Sequence, residues 1–180
     1  MQIIRLTGAI LVIFATSYAG FECSGRIQKR INQLYGLKSI FTELYSDVEY
    51  GACTLSESFG KMAEHQEKLY EVFLKDLSQS MKFDSENGRY QEQSFSCLFS
   101  EAVDQKLSQS ALSKEDKQGL IQFGKQLGSN QKQGQLRLIQ IYLQKLDLKI
   151  QELEKTKSEK QKIIRILGIS GGMLLVILLL

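Results

Sequence analysis

The chain has 180 residues, 23 of them basic and 20 acidic, with one histidine, three cysteines and no proline. A net charge of +3, with both signs mixed along most of the sequence, argues against nucleic acid as a partner. Average usage would supply about nine prolines in this length; with none, nothing removes a backbone donor or clashes with a preceding helical turn, and an all-α fold is expected.

The first element is apolar. LTGAILVIFATSYAGF holds 16 uncharged residues between Arg5 and Glu22. As a helix it covers about 24 Å, near the ~30 Å of a bilayer's hydrocarbon layer once Ile3 and Ile4 extend it and Arg5 snorkels. A transmembrane helix over 3–21 is expected. A cleaved signal peptide is the alternative, because Ser17-Tyr18-Ala19 offers small residues in a cleavage-like pattern. Against it, a helix-compatible pattern continues through Gly25 and Arg26. Arg5 alone precedes the stretch while Arg26, Lys29 and Arg30 follow it, which places the downstream flank in the cytoplasm.

From there Ile27, Ile31, Leu34, Leu37, Phe41, Leu44 and Val48 recur in steps of three and four, one stripe of a helix that runs to Tyr50-Gly51, where glycine permits the left-handed residue that ends helices. Thr54-Leu55-Ser56-Glu57 reads as a capping box opening a short helix with Leu55, Phe59 and Met62. A third helix carries Leu69, Val72, Phe73 and Leu77 and is broken by DSENG. A fourth is expected over Arg89 to Ser108 with Phe95, Leu98, Phe99 and Val103. SKEDKQ supplies an N-cap at Ser113 and an acidic first turn for a fifth, closed by Leu127-Gly128.

The sixth helix has the most regular pattern: Leu136, Ile139, Leu143, Leu146, Ile150 and Leu153 alternate steps of three and four, the spacing of a left-handed packing seam. Nothing interrupts the chain beyond it, so one helix of about 50 residues is expected from near Asn130 to Leu180. Its last part, KIIRILGISGGMLLVILLL, is preceded by Lys155, Lys157, Lys160, Lys162 and Arg165 with only Glu159 against them, a position that suits phospholipid headgroups. From Ile163 the end spans about 27 Å as a helix, adequate for a bilayer with slight thinning. The expected organisation is a transmembrane helix over 3–21, a cytoplasmic bundle of about six helices over 22–162, and a second transmembrane helix over 163–180. Gly168 and Gly172, with Ala15 and Ala19, are small residues at the spacing that lets helices approach closely in lipid, within one chain or between copies.

Little in the sequence points to chemistry. His65 lies in AEHQEK and is expected on a solvated helix face. Gly124, Gly128 and Gly134 do not match GxGxxG, no P-loop is present, and helix packing plus a helix C-terminus explains Gly124 and Gly128 more simply. Cys23, Cys53 and Cys97 form no CxxC and are expected to be reduced thiols. No catalytic residue, metal or cofactor is expected, and the protein is read as a non-enzyme.

The ordered features LTGAILVIFAT, VEYG with TL after it, FGKQLG followed by Gln135, a long helix and RILGISGGMLLVILLL together resemble the stage III sporulation protein AB family of endospore-forming bacteria. The resemblance implies a cytoplasmic all-helical domain similar to the F-type platform proteins of type II secretion and type IV pilus systems. It implies membership of the membrane complex linking mother cell and forespore, with the domain on the mother-cell side of the outer forespore membrane and a separate secretion-type ATPase as partner. The residues matched to the family pattern, and so implicated in partner binding, are Tyr50, Gly51, Leu55, Phe123, Gly124, Leu127, Gly128 and Gln135. The sequence departs from that pattern at Thr54, where a proline is expected, at Asn130 and Gln131, where an aspartate is expected, and in lacking tryptophan, for which Phe95 or Phe99 stands in. The alternative is a membrane-tethered coiled-coil scaffold that self-associates as a homo-oligomer through the Leu136 to Leu153 seam without a motor partner; what separates the two is whether the Ile27 to Val48 stripe covers that seam within one chain.

Overall fold

The computed structural model describes residues 2–51, 53–86, 95–128 and 131–179, with side chains described over 25–51, 53–82, 95–128 and 131–163 and at 166 and 170. Among the described residues there are six helices and no strand: α1 (Gln2–Tyr50), α2 (Leu55–Ala63), α3 (Lys68–Glu86), α4 (Phe95–Lys106), α5 (Lys114–Leu127) and α6 (Lys132–Leu179). The all-α expectation holds, as do the long first and last helices, which the absence of proline permits. Among the described residues no helix is long and apolar enough to cross a membrane. The side chains of the expected spans lie almost wholly outside the described set, including Ala15, Ala19, Gly168 and Gly172, as does that of Cys23.

The chain divides into two compact units, Met1–Ile31 with Gln151–Leu180, and Asn32–Ile150. The second unit is the helical bundle. Its α1 stripe is buried at Leu34, Leu37, Ile40, Phe41 and Leu44, and its α6 seam at Ile139 and Leu146 and Ile150. The two helices run antiparallel here: Lys38 Nζ lies 2.6 Å from Asp147 Oδ1, and the Phe41 and Tyr142 rings meet edge to face with centroids 5.0 Å apart. The stripe of the same chain thus covers the seam at Ile139, Leu146 and Ile150, and leaves Leu136, Leu143 and Leu153 half-buried. Each fully buried leucine or phenylalanine contributes about 1.5–3 kcal/mol relative to exposure, which makes this face a principal source of the bundle's stability.

Between those two long helices the chain folds back through short ones, α2 packing on α3, α3 on α4 and α4 on α5. The α2–α3 contact is tied by two serines that exchange bonds: Ser56 Oγ donates to the Ser78 carbonyl at 3.0 Å and Ser78 Oγ donates to the Ser56 carbonyl at 2.8 Å. Ser78 is buried, so this pairing supplies the partner its hydroxyl needs. In α3 the inward residues are Tyr70, Phe73, Leu74 and Leu77, while the expected Val72 is 46% exposed. The reason is Tyr70: its hydroxyl donates to the Gln33 carbonyl at 2.7 Å, and its ring lies against Gly36, where a Cβ would stand 2.6 Å from Cε2. That contact turns α3 one residue away from the phase the hydrophobic pattern suggests. Burial pushes the Tyr70 phenol far above its ordinary range, so it remains a donor.

Local chemistry sets the helix limits. Gly51 follows α1 with φ +64°, the left-handed conformation expected there. Thr54 and Ser113 cap α2 and α5, each in a capping box closed by Glu57 and Asp116. α4 ends at Lys106, two residues before the expected Ser108, and its expected start at Arg89 lies outside the described residues. His65 is exposed, as expected, but in the turn after α2 rather than on a helix face; its N–H donates to the Met62 carbonyl at 3.2 Å.

Two cap predictions follow from this geometry. Ser113→Ala is expected to cost about 1 kcal/mol of stability, measured by thermal unfolding of the full chain in detergent. At the other cap, the Glu57 carboxylate accepts from the Thr54 N–H at 2.9 Å and hydroxyl at 3.1 Å, which holds its carboxyl below the usual range. A depressed carboxyl stabilises the fold above its unfolded value of about 4.3, and that contribution fades as pH falls through the folded value. The melting-temperature gap between wild type and Glu57→Ala should therefore be widest near neutrality and narrow as pH falls below the usual carboxylate range.

Candidate functional site

The family-matched residues come from two stretches far apart in the chain, and the bundle brings them to one end. Gly51, just past α1, is placed so that a Cβ there would stand 3.6 Å from Lys132 Nζ, on the first turn of α6. Across the neighbouring corner, Gln135 Nε2 donates to the Leu127 carbonyl at 3.2 Å. That carbonyl is one of those a helix leaves without an internal partner, so a side chain of α6 caps the end of α5. Asp47, in the last turns of α1, is bonded by the hydroxyl of buried Ser58 and accepts a weaker bond from Cys53 Sγ at 3.8 Å, which fastens the start of α2 to the same end.

The eight residues divide by exposure. Tyr50 is 80% exposed, and Gly51 and Gly128 are exposed; Leu55 and Gln135 are half-buried; Phe123, Gly124 and Leu127 are buried. The last three are core positions, which shape the surface without being part of it. Phe123 lies between Phe41 and Tyr142, with centroids 4.6 Å and 4.8 Å away, and so connects α1, α5 and α6. Gly124 is a notch in α5 that receives the Phe99 ring: an added Cβ would overlap Phe99 Cδ1. One turn on, a Cβ at Gly128 would lie 2.7 Å from Phe95 Cδ1. The two glycines of FGKQLG thus let the antiparallel α4 seat its two phenylalanines directly against α5 backbone, which accounts for both glycines without phosphate binding.

What the arrangement offers chemically is a surface. Among the described residues no group of histidine, cysteine, aspartate and glutamate is placed to hold a metal ion. Cys53 and Cys97 are free thiols, the second exposed. The sequence reading did not single out Asp47, Ser58 or Lys132. The small residues and charges there carry no period or motif, and only the meeting of α1 with α2 and α6 reveals them.

Fold and site together define an all-helical bundle framed by two long antiparallel helices, with a polar and aromatic corner at one end. The stage III sporulation protein AB family matches residues 5–180, and the chain belongs to that family, which makes it a protein of sporulation. It is similar to stage III sporulation protein AB of Bacillus subtilis (strain 168), with 23% identity over 176 residues, spanning 98% of this chain and 99% of that one. A solved structure of stage III sporulation protein AB shares the fold at a TM-score of 0.63 and 18% identity, covering 73% of this chain and 98% of the other.

The notch at Gly124 carries a stability prediction. Gly124→Ala should cost about 1–3 kcal/mol in thermal unfolding, through overpacking against Phe99. Gly119→Ala, at a position in the same helix with open space around it, should instead be neutral or stabilising by up to about 1 kcal/mol. Phe99→Leu combined with Gly124→Ala should be less destabilised than the sum of the two changes, because they share one contact.

Proposed function

We propose that the protein is a non-enzymatic platform subunit of a sporulation membrane complex, anchored by both ends of the chain, with its helical bundle docking a secretion-type ATPase on the mother-cell side of the outer forespore membrane. Family membership supports the sporulation setting, and the seam's coverage within one chain favours a self-contained bundle over a scaffold that self-associates through that seam.

The observation that carries the membrane part lies in the unit formed by the two chain ends. Lys157 Nζ donates to Gln28 Oε1 at 2.5 Å, joining α6 to α1. In sequence this contact falls seven residues after the first apolar stretch ends at Phe21 and six before the second begins at Ile163, the matched spacing that two antiparallel spans of one bilayer need. Basic residues follow the first stretch and precede the second, so the positive-inside rule puts the basic flanks of both on the same, cytoplasmic side. Residues 22–162 then lie in the cytoplasm.

The docking part rests on the bundle end where Tyr50, Gly51, Gly128 and Gln135 gather. Tyr50 separates docking from folding, since a largely exposed ring contributes little to the core. Tyr50→Ala is expected to leave the melting temperature within about 1 °C of wild type while lowering spore yield and ATPase capture at least severalfold. Unchanged capture would remove Tyr50 from the interface. Placement is tested in a Cys23→Ser background with a membrane-impermeant thiol reagent: Cys53 and Cys97 should stay unlabelled in intact sporulating cells and react after the membrane is opened. Labelling from outside would overturn the cytoplasmic placement and the ATPase partner with it.

A further inference from the structure

The contact between Gln28 and Lys157 also brings two groups of cations level. Antiparallel to one another through Gln28 and Lys157, residues 26–30 of α1 lie beside 155–159 of α6. Arg26, Lys29, Lys155, Lys160 and Lys162 are exposed, and Arg30 and Lys157 are half-buried. Over 25–31 and 151–163 there are seven basic residues against Glu152, Glu154 and Glu159, a net +4, whereas the whole chain is +3. Everything else in the protein therefore sums to −1. The net positive charge of the molecule is concentrated in one band at the edge of the apolar segments.

The band's shape says what it meets. At about 100° per residue, Lys155 and Lys162 lie on the side of α6 away from Lys157, which meets α1, and Arg26 and Arg30 lie on the side of α1 away from Gln28, which meets α6. A protein or polyanion docking from one direction would meet cations on one face; charge on both outer sides of the helix pair suits a ligand that surrounds it in a layer. From Lys155 to Lys162 the helix rises about 10 Å. The polar layer on each side of a bilayer is about 5–8 Å thick, and charge attraction persists for about 8 Å at physiological salt. Long lysine and arginine side chains reach a headgroup layer while their stems stay against the helix.

We propose that Arg26, Lys29 and Arg30 of α1 and Lys155, Lys157, Lys160 and Lys162 of α6 form a basic collar that binds anionic phospholipid headgroups. This rests on the reading of both ends as membrane spans. Its consequence is selectivity: the collar makes the protein's seating in the membrane depend on lipid charge, through contacts that the spans alone do not provide.

The test uses the full chain, purified in neutral detergent and titrated with phosphatidylglycerol or phosphatidylcholine, with bound lipid counted by native mass spectrometry and unfolding followed by circular dichroism. Wild type should retain phosphatidylglycerol in preference to phosphatidylcholine, gain thermal stability with it, and lose both effects in high salt. Lys155→Gln with Lys160→Gln and Lys162→Gln should weaken phosphatidylglycerol binding roughly a hundredfold, at about fivefold per cation. Lys61→Gln with Lys114→Gln and Lys125→Gln, three exposed lysines of the bundle, changes the net charge equally and should leave binding unchanged. Equal loss in both triple variants, equal retention of the two lipids, or the same stabilisation by inorganic phosphate would overturn the collar. Alkaline carbonate treatment of the chain in pure phosphatidylcholine vesicles separates the two readings: extraction overturns the spans, while retention with no preference for anionic lipid overturns the collar alone.

Discussion

The bundle depends on aromatic rings seated against backbone that carries no side chain. Phe99 fills the notch at Gly124, Phe95 that at Gly128, and Tyr70 that at Gly36. Phe99 in turn contacts Phe73 at 5.7 Å and Phe123 at 6.4 Å, and Phe123 passes the contact to Phe41 and Tyr142. One run of rings thus joins α3, α4, α5, α1 and α6. A ring lying on bare backbone brings two helices closer than side-chain interdigitation allows, and each such seat fixes rotation as well as distance. This is why α2, α4 and α5, each too short to be stable alone, hold a single arrangement.

How much of this was legible in the sequence varied with the kind of signal. The α1 stripe and the α6 seam were readable because many turns of one phase are hard to mistake, and the structure buries Leu34, Leu37, Phe41, Leu44, Ile139, Leu146 and Ile150. The caps at Thr54 and Ser113 were readable because capping chemistry is local. In α3 the pattern admits two phases one residue apart, and only the Tyr70 contacts with Gln33 and Gly36, more than thirty residues away in sequence, select between them. The candidate site was legible only through resemblance. Nothing in the local spacing says that Gly51 will meet Lys132, or that Gln135 will cap α5.

The polar contacts follow the same division between frame and surface. Buried hydroxyls are paired inside the bundle, Ser58 with Asp47 and Ser78 with Ser56. Gln33 serves two neighbours at once, its carbonyl accepting from Tyr70 and its side-chain oxygen from the Ala111 N–H at 2.7 Å. The ion pairs Lys38–Asp147 and Lys106–Asp76 are partly exposed and add little to stability by themselves. They join helices whose apolar faces already meet, so they sharpen register more than they supply energy.

The antiparallel pairing of α1 with α6 also has a consequence for how the protein is made. Lys38 and Asp147 are about a hundred residues apart, so the apolar stripe of α1 leaves the ribosome long before the helix that covers it. At about 5–20 residues per second, α1 waits roughly 5–20 s for its partner. During that interval Leu34, Leu37, Phe41 and Leu44 present a continuous greasy face. The short helices are the only native cover available then, and the stripe is a ready target for holdase chaperones until translation is nearly finished.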